Sequence, residues 1–429
     1  MMSVFTEHKN FAPGESYYEY KHPTGVSIYV YPRPESEGVY AMYGAKCGSV
    51  DDNFIPAEQT EAVTVPAGIA HFLEHKLFES EELGAFERYA KTGADANAFT
   101  SFDCTCYLFS CAANFEQSFE ILLDFVQSPY FTEETVQKEQ GIIGQEIRMY
   151  LDRPDNQLFF NMLKAMYIND HIRLDIAGTE ESISHITADM LYTCYNAFYH
   201  PENMAICVAG NVTPEQVLKI CDRQLKPSQM SNPTRLVPDE PENVGQSYVE
   251  ERMDVAQPMY MIAFKDTPPK ENVMRDQLLA NIAFSAFIGE YTAFYEKLLS
   301  EKLINDSFGC DGMLRVRDAA GFAISGESPH YERIRDMVVA EIERVKREGL
   351  DPVEFECARR DTYGTLISEL SSNSAMCREL MDAFMYGESL DGLADYVASL
   401  TIEDAQRFFN ERIDTSRMVL SVVLPVEDK

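Results

Sequence analysis

The stretch from Gly68 to Phe78 reads GIAHFLEHKLF. On a helix, His71 and His75 would stand one turn apart on the same face, so an imidazole nitrogen of each can reach one zinc ion. Glu74 shares that face and lies beside the position that a water molecule would take. This order, H-x-x-E-H, is the reverse of the H-E-x-x-H order of many zinc peptidases. It predicts a zinc site carried on a helix.

An alternative interpretation is a polar helix face with two solvated imidazoles. The neighbouring residues count against it, because most of them are apolar and predict a largely buried helix: Ile69, Phe72, Leu73, Leu77 and Phe78. Two histidines and a glutamate on a buried helix are costly without a metal or other partners. The pattern therefore favours the metal site.

A zinc peptidase needs a third protein ligand and keeps its fourth coordination position open. The predicted helix 132–150 (TEETVQKEQGIIGQEIRMY) offers Glu139 and Glu146. They are seven residues apart, or two helical turns of about 10 Å in total, so both side chains point the same way. One can bind the metal while the other hydrogen-bonds a ligand histidine. Their spacing leaves both assignments open.

Together with the segment 93–107 (GADANAFTSFDCTCY), these motifs resemble the pitrilysin/insulinase family of inverzincin metallopeptidases, over roughly residues 22–212. The resemblance implies that Glu146 is the third zinc ligand and that Glu139 supports a ligand histidine. It further implies that Glu74 is the general base and that each chain binds one zinc ion.

The resemblance also implies a substrate-binding strand. Its residues match the N-A-x-T segment of the family, on whose edge the substrate backbone is laid: Asn97, Ala98, Phe99 and Thr100. Such β-augmentation gives affinity through main-chain hydrogen bonds and makes little demand on the substrate sequence.

The chain departs from the family at two positions that help to stabilise the oxyanion. Active members carry an Arg and, seven residues later, a Tyr in a domain without zinc, and the corresponding stretch here is 294–308 (FYEKLLSEKLINDSF). Ser300 replaces the Arg, and Ser307 or Phe308 replaces the Tyr. Loss of oxyanion donors typically costs about 2.7–4 kcal/mol of transition-state stabilisation. Either the chain is weakly active alone, or a partner supplies the pair.

Chain length bears on this choice, because one-chain members of the family use four such domains to close a peptide chamber. The chain has 429 residues, which suits two domains of ordinary size. We therefore expect a homo- or heterodimer, and the favoured partner is a zinc-less homologous subunit that carries the Arg and the Tyr.

An internal duplication agrees with a two-domain chain. Residues 186–212 and 400–426 match without gaps, each running from a Thr helix cap through an amphipathic helix and a turn into a β-branched strand. We predict an N-terminal zinc-binding domain at 1–225, a Pro-rich acidic linker at 226–258, and a homologous domain without metal at 259–429.

Each predicted domain is α+β, a largely antiparallel sheet covered by helices. The segments 26–31, 39–47 and 104–111 have the apolar, β-branched character of strands. In the second half, 333–347 has helical periodicity, and Asp351-Pro352-Val353-Glu354 is a capping box that opens another helix.

Composition excludes several other classes of function. The chain has 36 Lys and Arg against 70 Asp and Glu, a net charge of −34, which repels phosphate backbones and anionic lipids. No stretch approaches the roughly 20 apolar residues of a membrane span, and the N-terminus lacks the apolar core of a secretory signal. We expect a cytoplasmic protein that binds neither nucleic acid nor membranes.

The ten cysteines are scattered and form no C-x-x-C pair. Most lie in apolar segments, which is typical of buried free thiols. Cys104 and Cys106 are two residues apart on one face of a predicted strand, so a metal-binding pair is the alternative to simple burial there.

The sequence thus predicts a zinc-dependent endopeptidase that hydrolyses peptides or small unfolded proteins as half of a dimeric peptide chamber. One alternative is a non-catalytic or partner-dependent subunit that binds peptides in a processing-peptidase-like complex. Another is a zinc deacetylase or amidase, which the N-A-x-T strand disfavours because a small substrate needs no extended backbone platform.

Overall fold

The computed structural model describes residues 5–9, 14–57, 59–228 and 230–426, without the side chains of 311–313. The strands are β1 (Thr6–Lys9), β2 (Ser16–Lys21), β3 (Ser27–Pro32), β4 (Val39–Ala45), β5 (Asn53–Ile55), β6 (Val63–Thr64), β7 (Asp95–Thr100), β8 (Thr105–Cys111), β9 (Met204–Gly210), β10 (Thr234–Arg235), β11 (Tyr248–Met253), β12 (Met259–Asp266), β13 (Gly309–Val316), β14 (Ala319–Glu327) and β15 (Met418–Pro425).

The helices are α1 (Ile69–Leu77), α2 (Ala85–Thr92), α3 (Phe115–Val126), α4 (Glu133–Leu151), α5 (Pro154–Met166), α6 (Glu180–Ser184), α7 (Ala188–Phe198), α8 (Pro214–Gln224), α9 (Val273–Ile288), α10 (Ala293–Ser300), α11 (Tyr331–Glu348), α12 (Pro352–Glu369), α13 (Asn373–Tyr386), α14 (Leu393–Ser399) and α15 (Ile402–Arg412).

The chain divides into two compact units, and neither is one continuous segment of the sequence. The first comprises 1–147, 175–237 and 367–393, and the second comprises 148–174, 238–366 and 394–429. Helix α5, from the first half of the sequence, therefore belongs to the second unit. Helix α13, from the second half, belongs to the first unit.

These units differ from the predicted division into 1–225, 226–258 and 259–429. The predicted boundaries place α5 in the N-terminal domain and α13 in the C-terminal domain, whereas α5 belongs to the second unit and α13 to the first. The segment 226–258, predicted as a linker, carries strands β10 and β11. The physical reason is that an amphipathic pattern shows which face of a helix is buried. It does not show which of two sheets that face covers.

The first unit contains a seven-stranded sheet in the order β1-β2-β3-β9-β4-β8-β7. Strands β3 and β9 are parallel, and the other neighbours are antiparallel. Helices α1, α3, α7 and α8 supply apolar side chains to one core with alternate strand residues, among them Ala41 and Tyr43. A small sheet, β10-β5-β6, completes this unit.

Helix α13 covers the opposite face of the seven-stranded sheet, packing on β9, β4 and β3. The fit is close at Gly44, where an added Cβ would lie 2.7 Å from Met381 Sδ. At the start of α13, the Asn373 amide donates to Ser36 Oγ at 2.9 Å and to Gly38 O at 3.1 Å. Packing and polar contacts together hold this helix on the first unit.

The second unit contains a five-stranded sheet in the order β11-β15-β12-β14-β13. Strands β11 and β15 are parallel, and the remaining pairs are antiparallel. Helix α5 packs on β15, β12 and β11. Just after it, the Tyr167 hydroxyl donates to Ala320 O at 2.9 Å, and the buried Lys265 amine donates to Met166 O at 3.2 Å.

The two units repeat the same local structure at a constant offset of 214 residues. Helix α7, the 3-10 turn Pro201–Asn203 and strand β9 begin 214 residues before α15, the turn Thr415–Arg417 and β15. Thr187 and Thr401 cap the two helices through their side chains. This confirms the predicted duplication and the α+β class, with one parallel strand pair in each main sheet.

All ten cysteines are free, and eight of them are buried, as the sequence predicts. Within the described ranges, no helix has the length and apolarity needed to cross a lipid bilayer.

Candidate metal centre

Helix α1 begins at a position that requires glycine. Gly68 precedes the helix with φ of +91°, and an added Cβ would lie 2.4 Å from Ala177 O. A Cβ added at Gly178 would likewise lie 2.4 Å from Ala67 O. The Ser182 hydroxyl donates to the same carbonyl oxygen at 2.8 Å. Because glycine tolerates both the positive φ and the close approach, these contacts fix the start of α1.

The rest of α1 is buried, as its apolar pattern predicts. Every residue of the helix except His75 lies in the interior. His71 and Glu74 are 9% and 8% exposed, so both of these polar groups are held away from bulk water, whereas His75 is partly exposed.

Side chains from α1 and α4 meet in a His-His-Glu group. One ligand atom from each of His71, His75 and Glu146 lies within 4.8 Å of the other two. Nε2 of His71 is 3.8 Å from Glu146 Oε1, and Nε2 of His75 is 3.5 Å from Glu146 Oε2. Two imidazoles and one carboxylate form the ligand set of many catalytic zinc sites.

Glu139 lies on the other side of the His75 ring. Its Oε1 is 3.0 Å from His75 Nδ1, and the residue is 6% exposed. A carboxylate that accepts the Nδ1 proton leaves the lone pair of Nε2 directed at Glu146 and His71. Histidine ligands of metals are typically oriented in this way, so the arrangement of His75 fits a bound zinc ion.

The two histidines differ in their electrostatics. Burial, together with the charge on His75, lowers the pKa of His71 to about 3. The imidazole of His71 is therefore neutral at physiological pH, the form that binds metals. Burial alone would lower the pKa of His75, but the hydrogen bond to Glu139 and the nearby carboxylates raise it above its usual value.

Glu74 is a buried carboxylate beside this group. Burial raises its pKa, and the hydrogen bond from Thr100 partly opposes that effect. The Thr100 hydroxyl donates to Glu74 Oε2 at 2.9 Å. A raised pKa is the usual adjustment of a glutamate that accepts and returns a proton near neutral pH.

The predicted substrate strand is β7, at one edge of the seven-stranded sheet. Asn97, Ala98, Phe99 and Thr100 all pair with β8 on its inner side, and no strand of the described residues pairs with its outer side. The Asn97 side-chain oxygen accepts from the N–H of Ala98 at 2.8 Å. An unpaired edge of this kind can add a peptide strand.

In the second unit, the residues predicted to replace the oxyanion pair make local contacts. Ser300 is the last residue of α10, and its hydroxyl donates to Lys297 O at 2.9 Å. Ser307 is exposed and accepts from the N–H of Glu327 at 2.8 Å. Phe308 is buried, with its ring 5.7 Å from that of Tyr295.

Comparisons with known proteins agree with this geometry. A family model described as Insulinase (Peptidase family M16) matches residues 62–180, and one described as Peptidase M16 inactive domain matches residues 185–361. The uncharacterized zinc protease YmfH of Bacillus subtilis is 37% identical over 422 residues, which cover 96% of this chain and 97% of that protein. The chain belongs to the M16 insulinase family.

Two further similar proteins extend the comparison. The uncharacterized zinc protease YmxG of Bacillus subtilis is 23% identical over 353 residues, covering 78% of this chain and 83% of that protein. The crystal structure of an M16-like peptidase from Alicyclobacillus acidocaldarius has a TM-score of 0.91 at 32% identity, covering 98% of this chain and 99% of that one. The chain is thus an M16 zinc-protease homologue with a His-His-Glu group.

Sequence reasoning about this M16 chain missed two features of the site. The contact between Gly68 and Ala177 has no local signal, because 109 residues separate them. The hydrogen bond from Thr100 to Glu74 has a weak signal in the sequence. Thr100 ends the predicted substrate strand, and a substrate on that strand must come close to the predicted base. The sequence alone does not show on which face of β7 the Thr100 hydroxyl lies.

Proposed function

We propose that this chain is a zinc-dependent endopeptidase that hydrolyses peptides or small unfolded proteins. His71, His75 and Glu146 would hold one zinc ion, Glu139 would orient His75, and Glu74 would act as the general base. The observation that carries the proposal is the convergence of the three ligand atoms within 4.8 Å of one another, next to a buried glutamate that does not belong to that group.

Zinc at this position would act as a Lewis acid, polarising the scissile carbonyl and lowering the pKa of water toward 7. The residues of the chain carry the remaining steps. Glu74 takes the proton of the attacking water and returns it to the leaving amine. The burial of Glu74 supports both transfers, because it raises the pKa of the carboxylate toward neutral pH, where a group can both accept and donate a proton.

The substrate class follows from strand β7. A peptide in extended conformation can pair with its open edge, which ends at Thr100, the residue that contacts Glu74. Main-chain pairing requires an unfolded segment of substrate and reads little of its sequence. We therefore assign Asn97, Ala98, Phe99 and Thr100 to substrate binding, and we propose peptides or small unfolded proteins as the substrates.

The free state of all ten cysteines supports a reducing, cytoplasmic compartment.

The first experiment is cleavage of a mixed unstructured peptide library by the purified zinc-loaded chain. Glu74→Gln should keep zinc and lose at least about 100-fold of the activity, because general acid–base catalysis contributes factors of 10²–10⁴. The exposed Glu82→Gln, a matched change on the surface, should cleave like the wild type. If Glu74→Gln retained a tenth of the activity, Glu74 would not be the base.

A second candidate, a partner-dependent subunit, is favoured by the local contacts of Ser300 and Phe308. A serine hydroxyl bonded to its own helix and a buried phenyl ring offer no charged or acidic donor for an oxyanion. We therefore propose that a homologous subunit, most simply one without zinc, supplies an Arg and a Tyr and closes a peptide chamber with this chain.

This candidate is tested by purification from the native host. Recovery with a homologous subunit, and cleavage that requires both chains, would support the dimer. Recovery of this chain alone with full peptidase activity would exclude the requirement for a partner.

A further inference from the structure

The Thr100 side chain links the substrate strand to the base carboxylate. Thr100 is the last residue of β7, and its hydroxyl donates to Glu74 Oε2 at 2.9 Å. Glu74, which it contacts, is 8% exposed. A hydrogen bond to a buried carboxylate fixes orientation more firmly than one in water, because solvent competes little for it.

The hydroxyl is held in place by the β7–β8 hairpin. Thr100 faces Thr105 in the strand register, and the turn beyond them closes with a bond from Ser101 N to Cys104 O of 2.7 Å. The fully buried Thr105 hydroxyl donates to Cys47 O at 2.8 Å and lies 3.5 Å from Thr100 Oγ1. A β-branched side chain has few rotamers, so little freedom remains for Thr100.

We propose that Thr100 is a positioning residue, whose hydroxyl holds Glu74 in the orientation that accepts the proton of the attacking water. The inference rests on the proposed function. It gives Thr100 a second role, positioning the base, beside its place in the strand that would bind the substrate. The open edge of β7 would place the peptide, and a side chain of the same strand would place the base. One strand then sets the distance between the scissile bond and the carboxylate.

The bond leaves the two carboxylate oxygens with different tasks. Oε2 accepts from Thr100, which leaves Oε1 for the proton of water. Without the hydroxyl, the carboxylate can turn about its last side-chain torsion, which is broad in glutamate. Because a misplacement of about 1 Å can cost 10²-fold in rate, we expect kcat to fall about 10- to 100-fold, while KM changes less than about twofold.

The test compares two substitutions at the same site. Thr100→Val keeps the shape and removes the hydroxyl, and should show the loss in kcat. Thr100→Ser keeps the hydroxyl and should stay within about threefold of the wild type. Thr64→Val, an exposed strand residue whose hydroxyl donates to Asn53, is the matched control and should leave kcat unchanged. Zinc content and melting temperature are measured for every variant.

Two readouts separate positioning from a structural role. In a Glu74→Gln background, Thr100→Val should cause no further loss of the residual rate, since residues that act together are not additive. A crystal structure of zinc-loaded Thr100→Val should show the Glu74 carboxylate turned away from its wild-type position.

The outcomes distinguish this inference from the proposed function. A zinc-loaded wild type that cleaves no peptide would remove the proposed function, and the Glu74 orientation in the Thr100→Val crystal would then decide the inference. If the wild type cleaves and Thr100→Val matches it in kcat, Thr100 is not a positioning residue. A change in KM alone, or a loss that Thr100→Ser shares, would overturn the inference as well.

Discussion

Oε1 of Glu139 lies 3.0 Å from Nδ1 of His75, and the Glu139 side chain is 8% exposed. The opposite nitrogen of the same ring faces Glu146 at 3.5 Å. His75 therefore lies between two carboxylates, that of Glu139 at Nδ1 and that of Glu146 at Nε2. The two acids at heptad spacing on α4 have distinct surroundings, which their spacing alone could not assign.

We predict that Glu139→Gln weakens zinc binding by about 10- to 100-fold without abolishing it, because loss of such a partner of a ligand histidine has effects of this size. Competition with a chromophoric chelator measures the affinity. Glu134→Gln, an exposed change on the same helix, is the control. An unchanged zinc affinity in Glu139→Gln would contradict the role of Glu139.

Zinc should stabilise the folded chain through its ligands. A ligand at 100 times its Kd adds about 2.7 kcal/mol to the free energy of unfolding, so chelation of zinc should lower Tm. This zinc-dependent shift in Tm should persist in Glu74→Gln and shrink strongly in Glu146→Ala. A full shift in Glu146→Ala would mean that Glu146 is not a ligand.

Two glycines near the site should respond to alanine in opposite ways. A Cβ at Gly141, exposed in α4, would meet no atom within 4 Å, so Gly141→Ala should stabilise the chain by about 0.5–1 kcal/mol. Gly68→Ala meets a positive φ and the close carbonyl of Ala177, and should destabilise by about 1–3 kcal/mol. Chemical denaturation measures both, and equal effects would contradict the assigned backbone geometry.

Helix α13 carries two acids that should make the first unit less stable at alkaline pH. Burial, with the charge of Asp382, raises the pKa of Glu379 to about 7, and burial raises that of Asp382 to about 6. The folded state therefore binds these protons more tightly than the unfolded state. The stabilisation from Glu379 is fully present below about pH 4.5, the ordinary pKa of a glutamate, and is lost as the pH rises through 7, the pKa of Glu379 in the folded state.

Glu379→Gln should accordingly raise the free energy of unfolding at pH 8 by about 1–2 kcal/mol and change it little at pH 4. Urea unfolding at the two values of pH measures the difference. The exposed Glu343→Gln on α11 is the control and should show neither effect. A Glu379→Gln variant that is less stable at pH 8 would show that the carboxylate is favourably paired.

Much of the site was predictable because its chemistry is local. The spacing of His71, Glu74 and His75 places them on one face of a helix, and the apolar neighbours of these residues predict the burial that the structure shows. The internal match at an offset of 214 residues likewise depends on local helix, turn and strand patterns, and the structure reproduces it element by element.

The contacts that sequence reasoning could not reach are those between distant segments. The spacing of Glu139 and Glu146 does not show which of them faces the two histidines, because this depends on how α4 is rotated against α1, and the rotation is set by packing. The meeting of Thr100 and Glu74 depends in the same way on the position of β7 over α1. The exchange of α5 and α13 depends on which sheet each helix covers.

That exchange sets the order in which the protein can be completed during synthesis. Strands β9, β4 and β3 are finished early, but the helix that covers them, α13, ends at Tyr386, about 150 residues beyond the last earlier segment of the first unit. At translation rates of about 5–20 residues per second, the uncovered sheet face waits roughly 7–30 s for its cover. A nascent chain released before that point would expose this face, so truncated products should be bound by chaperones or degraded rather than accumulate as a free zinc-binding half.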